Sequence, residues 1–153
     1  MCIRDRGIFG QAKSGKSFVA VDLASNIALG RDWHGHRTKK SPVIILAGEG
    51  NKNYFRRFKS WETLNDQPLG DAPILLSNRG ARLLDDKDHQ LLKEHLQQVE
   101  DIHGEIGCII VDTLQRAFSG NESSTQDMSE FIERVDDLRN EFNSTIILFK
   151  DYR

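Results

Sequence analysis

The stretch GIFGQAKSGKSFVA, Gly7 to Ala20, decides how the whole chain is read. Gly10, Gly15, Lys16 and Ser17 fall in the pattern G-x-x-x-x-G-K-S. Ile8 and Phe9 ahead of it read as a short strand, and SFVAVDLASNIALG, Ser17 to Gly30, reads as a helix ended by Gly30. A strand, a glycine-bearing turn and a helix opening at a lysine together make a cradle for phosphate. Gly10 permits a tight turn out of the strand, and Gly15 lets backbone approach phosphate oxygens with no side chain in the way. Gln11, Ala12, Lys13 and Ser14 complete the loop. The N–H groups between Ala12 and Ser17 are expected to point inward, and the helix N-terminus adds partial positive charge. Lys16 would reach the β- and γ-phosphates, and the Ser17 hydroxyl would be a ligand for Mg²⁺. The plainer alternative is an ordinary strand–turn–helix junction with a solvated lysine.

Working outward, the residues just before the loop fit it badly. A cradle strand is expected to be central, buried on both faces and apolar throughout. MCIRDR, Met1 to Arg6, would put Arg4, Asp5 and Arg6 into it. Isolated buried charges cost several kcal/mol or more. Either the strand is only about two residues long, or Met1 to Arg6 is foreign to the domain. The hexapeptide resembles the translation of a transposon-derived sequencing adapter, so the foreign reading is preferred over a native charged leader. The chain also stops at Arg153, directly after a strand. It therefore reads as one partial domain over 7–153, lacking native residues at both ends.

Beyond the loop, short apolar runs alternate with longer amphipathic segments. PVIILAG (Pro42 to Gly48), APILLS (Ala72 to Ser77), GCIIVDT (Gly107 to Thr113) and STIILF (Ser144 to Phe149) read as strands. A helix over Asn51 to Leu64 would carry a stripe of Tyr54, Phe55, Phe58 and Trp61. Another over Asp86 to Ile102 would carry Leu91, Leu92, Leu96 and Val99. A third, capped by Ser124 or Thr125 and running to Phe142, would carry Met128, Phe131, Ile132, Val135, Leu138 and Phe142. Strands alternating with helices of this length predict an α/β fold: a mostly parallel sheet with helices on both faces.

Composition narrows the classes. The 153 residues amount to one domain, and a net charge of −2 advertises no general nucleic-acid surface. There is no run of 18 apolar residues and no signal-peptide pattern, so no membrane partner is expected. Two cysteines, Cys2 and Cys108, suggest neither a disulfide framework nor a zinc site, and a reducing cytoplasm fits. His34 and His36 lack the cysteine or carboxylate partners of a good metal site. NYFRRFK, Asn53 to Lys59, could clamp a single strand, but helical spacing favours aromatics packed inward with the cations in water.

Two carboxylates complete the candidate site. Asp112 ends the apolar run CIIVD, and ligands bind at the carboxyl ends of parallel strands. There it could hold Mg²⁺ through water, or simply accept a nearby backbone N–H. Glu49 ends a different strand between two glycines. It could orient or deprotonate water as the catalytic carboxylate, or merely favour the N-terminus of the next helix.

The cradle, the two carboxylates and their order resemble RecA-like ATPases. More narrowly they resemble the RepA-like AAA-type ATPases of plasmids, phages and prophages. The resemblance covers nearly all of Gly7 to Phe149. It is carried by GQAKSGKS, DWHG (Asp32 to Gly35), ILAGEGNKNYFRRFKSW, IIVDTLQRAFSGNESSTQDM (Ile109 to Met128) and STIILF. It implies a RecA-like core, ATP hydrolysis with Mg²⁺, a homo-oligomeric ring that is often hexameric, and action on single-stranded DNA. By position, Lys16 and Ser17 match the phosphate loop, Asp112 the metal-site aspartate and Glu49 the water-activating glutamate. Members commonly continue past the last strand with a histidine-containing stretch. Here KDYR, Lys150 to Arg153, stands instead, which is consistent with truncation or a read error, so a γ-phosphate sensor is not assigned. The arginine finger and DNA loops would lie further on. Arg116 is weighed as a contact to a neighbouring subunit or a surface residue. The alternative function is a recombination-type or regulatory ATPase that assembles rings without unwinding DNA.

Overall fold

The computed structural model describes residues 5–48, 51–77, 81–121 and 124–152. It folds the alternating segments into β1 (Asp5–Gln11), α1 (Lys16–Leu29), β2 (Val43–Ala47), α2 (Asn51–Asn65), β3 (Ile74–Leu76), α3 (Asp86–His103), β4 (Cys108–Asp112), α4 (Leu114–Ala117), α5 (Thr125–Phe142) and β5 (Thr145–Tyr152). The strands form one sheet in the order β1-β5-β4-β2-β3, and every neighbouring pair is parallel.

The sheet is parallel because its middle strands can be buried on both sides. VIILA in β2 and CIIVD in β4 are buried at every position. Successive side chains on a strand point to opposite faces, so each run must meet cover above and below. Val43, Ile45, Cys108, Ile110 and Phe149 face α1 and α2, where they meet Ala20, Ala24, Tyr54, Phe58 and Trp61. Ile44, Leu46, Ile109, Val111 and Ile146 face the other way, onto Leu92, Leu96, Phe131, Val135 and Leu138 of α3 and α5. This is the expected RecA-like α/β architecture, with helices on both faces.

Several expectations need correction. β1 is an edge strand among the described residues, not a central one. It pairs only with β5 and spans seven residues, beginning at Asp5. Ile8 packs toward α1 and α2, but Phe9 on the opposite face is 56% exposed and stacks on Tyr152. A strand with one pairing edge and one face open need not be apolar throughout. β5 continues three residues beyond Phe149, and the short α4 after β4 was not foreseen. Phe55, Leu91 and Ile132, expected in apolar stripes, are exposed. Ser124 is the cap of α5, its hydroxyl accepting from the Asp127 N–H at 3.2 Å.

Candidate active site

In a parallel sheet all carboxyl ends share one edge, and those sequence-identified groups that lie among the described residues collect there. The chain leaves β1 at Gln11 and turns, with the Ser14 N–H donating to the Gln11 carbonyl at 3.2 Å. Lys13 and Gly15 are left-handed, with φ of 65° and 89°. The two motif glycines are constrained within the loop in different ways. Gly15 is required by its backbone conformation, since nothing lies within 4 Å of where its Cβ would be. Gly10 is required for space: a Cβ there would meet the Ser14 hydroxyl at 2.8 Å and the Lys16 side chain at 3.6 Å. The inward series of N–H groups is also interrupted, because Ser14 uses its own within the turn.

Lys16, the first residue of α1, is buried. Its ammonium folds back into the loop and donates to the carbonyls of Gly10 (3.0 Å) and Gln11 (2.7 Å) and to Ser14 Oγ (3.4 Å). Its fourth partner is the carboxylate of Asp151 near the end of β5, at 2.6 Å. Ser17, one residue on, donates to Asp112 Oδ2 at 2.7 Å. These two residues lie 95 apart in the chain and meet for a simple reason. Cys108 and Ile110 face α1 and α2, and alternation turns Asp112 the same way.

Asp112 has a further partner that sequence reasoning missed. The Tyr54 hydroxyl, from α2, donates to the same Oδ2 atom. Burial, then the charge and hydrogen bond of Asp112, push the Tyr54 phenol well above its ordinary range, so it stays a neutral donor. The available signal was chemical: a tyrosine in a buried stripe brings a hydroxyl that needs a partner. Asp151 was missed because the last strand was expected to end at Phe149.

Glu49 lies outside the described residues. The backbone leading to it leaves the sheet beside Asp112, with the Gly48 N–H donating to the Asp112 carbonyl at 2.9 Å. Arg116 Nη1 donates to the Gly48 carbonyl at 2.6 Å, so this arginine reaches back within its own chain. A Cβ on Gly48 would meet Arg116 Cδ at 2.1 Å. In NYFRRFK, Tyr54 and Phe58 pack inward but Phe55 does not. Arg57 lies over the rings of both Phe18 and Tyr54, 5.5 Å from each centroid. His34 Nε2 lies 3.1 Å from Asp22 Oδ2.

The residues present suit a magnesium–triphosphate group. A buried ammonium occupies a turn of exposed backbone, next to a hydroxyl and a carboxylate that are hard oxygen donors. No described helix is long and apolar enough to cross a membrane. A comparison with curated proteins found no match. The family model for the AAA domain matches residues 7–150. The chain therefore belongs to this AAA domain family of P-loop ATPases.

Proposed function

We propose that the chain is the Mg²⁺-dependent ATP-binding and hydrolysing core of a RepA-like, ring-forming DNA helicase or a related mobile-element ATPase. The observation that carries the nucleotide reading is the meeting of Ser17 and Asp112 at 2.7 Å beside the buried ammonium of Lys16. Lys16 would exchange its carbonyl and carboxylate partners for β- and γ-phosphate oxygens, neutralising charge there. Ser17 and Asp112 would hold Mg²⁺, Asp112 through water, and the bound ion would add electrophilic stabilisation of the phosphates. Gln11, Ala12, Lys13, Ser14 and Gly15 would wrap the phosphates with backbone. Glu49 would orient and deprotonate the attacking water. The helicase part, the hexameric ring, the single-stranded DNA partner and a cytoplasmic setting rest on the resemblance of the ILAGEGNKNYFRRFKSW and IIVDTLQRAFSGNESSTQDM blocks. Met1 to Arg6 is proposed to be adapter-derived, and 7–153 to be the ATPase domain.

Turnover of ATP by the purified protein, with and without Mg²⁺ and single-stranded DNA, tests this. Mg²⁺-dependent turnover abolished by Lys16→Ala and stimulated by DNA is the expected result. DNA-indifferent turnover with ATP-dependent oligomers would replace the helicase with the assembly ATPase. Absence of nucleotide binding would sink the reading altogether.

A further inference from the structure

We propose that Asp151 is an internal competitor for the phosphate-binding lysine, and so sets how tightly this site takes a triphosphate; this rests on the nucleotide reading above. Three observations converge. Asp151 Oδ1 is 2.6 Å from Lys16 Nζ, the shortest of that ammonium's four contacts. The acid is also held from a fixed place. Its residue pairs with Gly10 in the β1–β5 register, directly beside the start of the loop. Its backbone is gripped by Gln115 of α4, whose amide donates to the Asp151 carbonyl at 2.8 Å and accepts from the Asp151 N–H at 3.4 Å.

The consequence is electrostatic. The Lys16 side chain is 9% exposed and that of Asp151 is 37% exposed, so the pair is only partly screened by water. An anion that reaches Lys16 must displace one carboxylate oxygen and then sit beside the negative charge it displaced. Asp112 is engaged elsewhere, by Ser17 and Tyr54. The phosphate thus contends with Asp151 specifically. Removing that charge while keeping shape should tighten binding, and more for a triphosphate than for a diphosphate.

The test is a calorimetric titration of the protein with ATPγS and with ADP, in Mg²⁺ and in EDTA. Asp151→Asn is expected to bind ATPγS roughly tenfold more tightly than the unmodified chain, an effect of one like charge in a half-screened setting. Asp151→Ser should do the same, and Asp151→Glu, which keeps the charge, should stay close to the unmodified affinity. The gain should shrink as salt rises. A merely structural role would predict weaker binding in every variant, in proportion to lost stability. Equal or weaker ATPγS binding by both neutral variants overturns the proposal. So does weakening confined to the Mg²⁺ arm, which would make Asp151 a metal-binding group. If the unmodified chain binds and Lys16→Ala does not, while the neutral variants fail to tighten, only the Asp151 inference falls. If none of the proteins binds nucleotide, the nucleotide reading falls with it.

Discussion

Tyr54 gives its hydroxyl to an acid that already holds Ser17, and this arrangement has a measurable stability signature. A hydrogen bond to a carboxylate contributes more than one between neutral groups, so Tyr54→Phe should cost about 1–2 kcal/mol in urea unfolding. The pH dependence has a definite sign. The folded-state phenol ionises above its ordinary value of 10.0, because burial and then the neighbouring Asp112 charge oppose the anion. Its contribution is therefore complete below pH 10.0 and lost as pH rises further through the folded value. Tyr54→Phe should flatten the alkaline limb of the stability profile, and an unchanged limb would contradict this account. Gly48 makes a second residue-level test. An alanine there would drive its methyl into Arg116, which clasps the Gly48 carbonyl just before Glu49. Small displacements next to reacting groups cost heavily in rate, so with Glu49 in its proposed water-activating role Gly48→Ala should lower ATP turnover on the order of tenfold to a hundredfold while leaving ATPγS affinity nearly unchanged.

Between elements, one side chain ties three segments together. Asp22 on α1 accepts the indole N–H of Trp33 and that of Trp61, each at 2.8 Å, and lies 3.1 Å from His34. This explains what DWHG does: its tryptophan and histidine fasten the loop after α1 to α1 itself, while Trp61 fastens α2. Asp22→Ala leaves two indole donors without their acceptor and should cost about 2–3 kcal/mol, read by urea unfolding with tryptophan fluorescence. Burial alone would raise the Asp22 carboxyl, but donation from Trp61, Trp33 and His34 outweighs it and brings the value below 3.8. The clamp is therefore fully present above pH 3.8 and fails as pH falls through the lower folded value. Element placement was largely legible in the sequence because β2 and β4 are built on apolar runs and α2, α3 and α5 carry apolar stripes at helical spacing. The misplaced residues share one cause. Phe55, Leu91 and Ile132 each stand next to a stripe residue, about 100° round the helix from Tyr54, Leu92 and Phe131. Apolar identity suggested inclusion, and the helical angle puts them in water. The Ser17–Asp112 meeting was legible because each residue announces itself by a local motif. Tyr54 and Asp151 were not, since a hydroxyl within an apolar stripe and an acid beyond an apparent strand end carry no pattern of their own.

At the scale of the whole molecule, the candidate site draws on β1, α1, α2, β4 and β5, so both ends of the sequence meet in it. The sheet order is what makes this possible. β5, the last of the described strands, lies between β1 and β4, and all carboxyl ends face one way. No local segment can form this site by itself. Lys16 belongs with an acid 135 positions later, and Ser17 with one 95 positions later. A ligand that requires all these groups binds the folded state and not the unfolded chain, so it should stabilise the domain globally. At a Mg²⁺–ATPγS concentration 100 times its dissociation constant the gain is about 2.7 kcal/mol. For a domain of this size that corresponds to a rise in Tm of roughly 5–10 °C. The rise should appear as a displacement of one cooperative transition, because the site spans the sheet. Lys16→Ala should abolish it at the same ligand concentration, and Asp112→Asn should abolish the part that depends on Mg²⁺. Two transitions, with only one of them moved by nucleotide, would show that the phosphate loop folds and binds apart from the β4–β5 half, and the site as assembled would not be the one that takes the ligand.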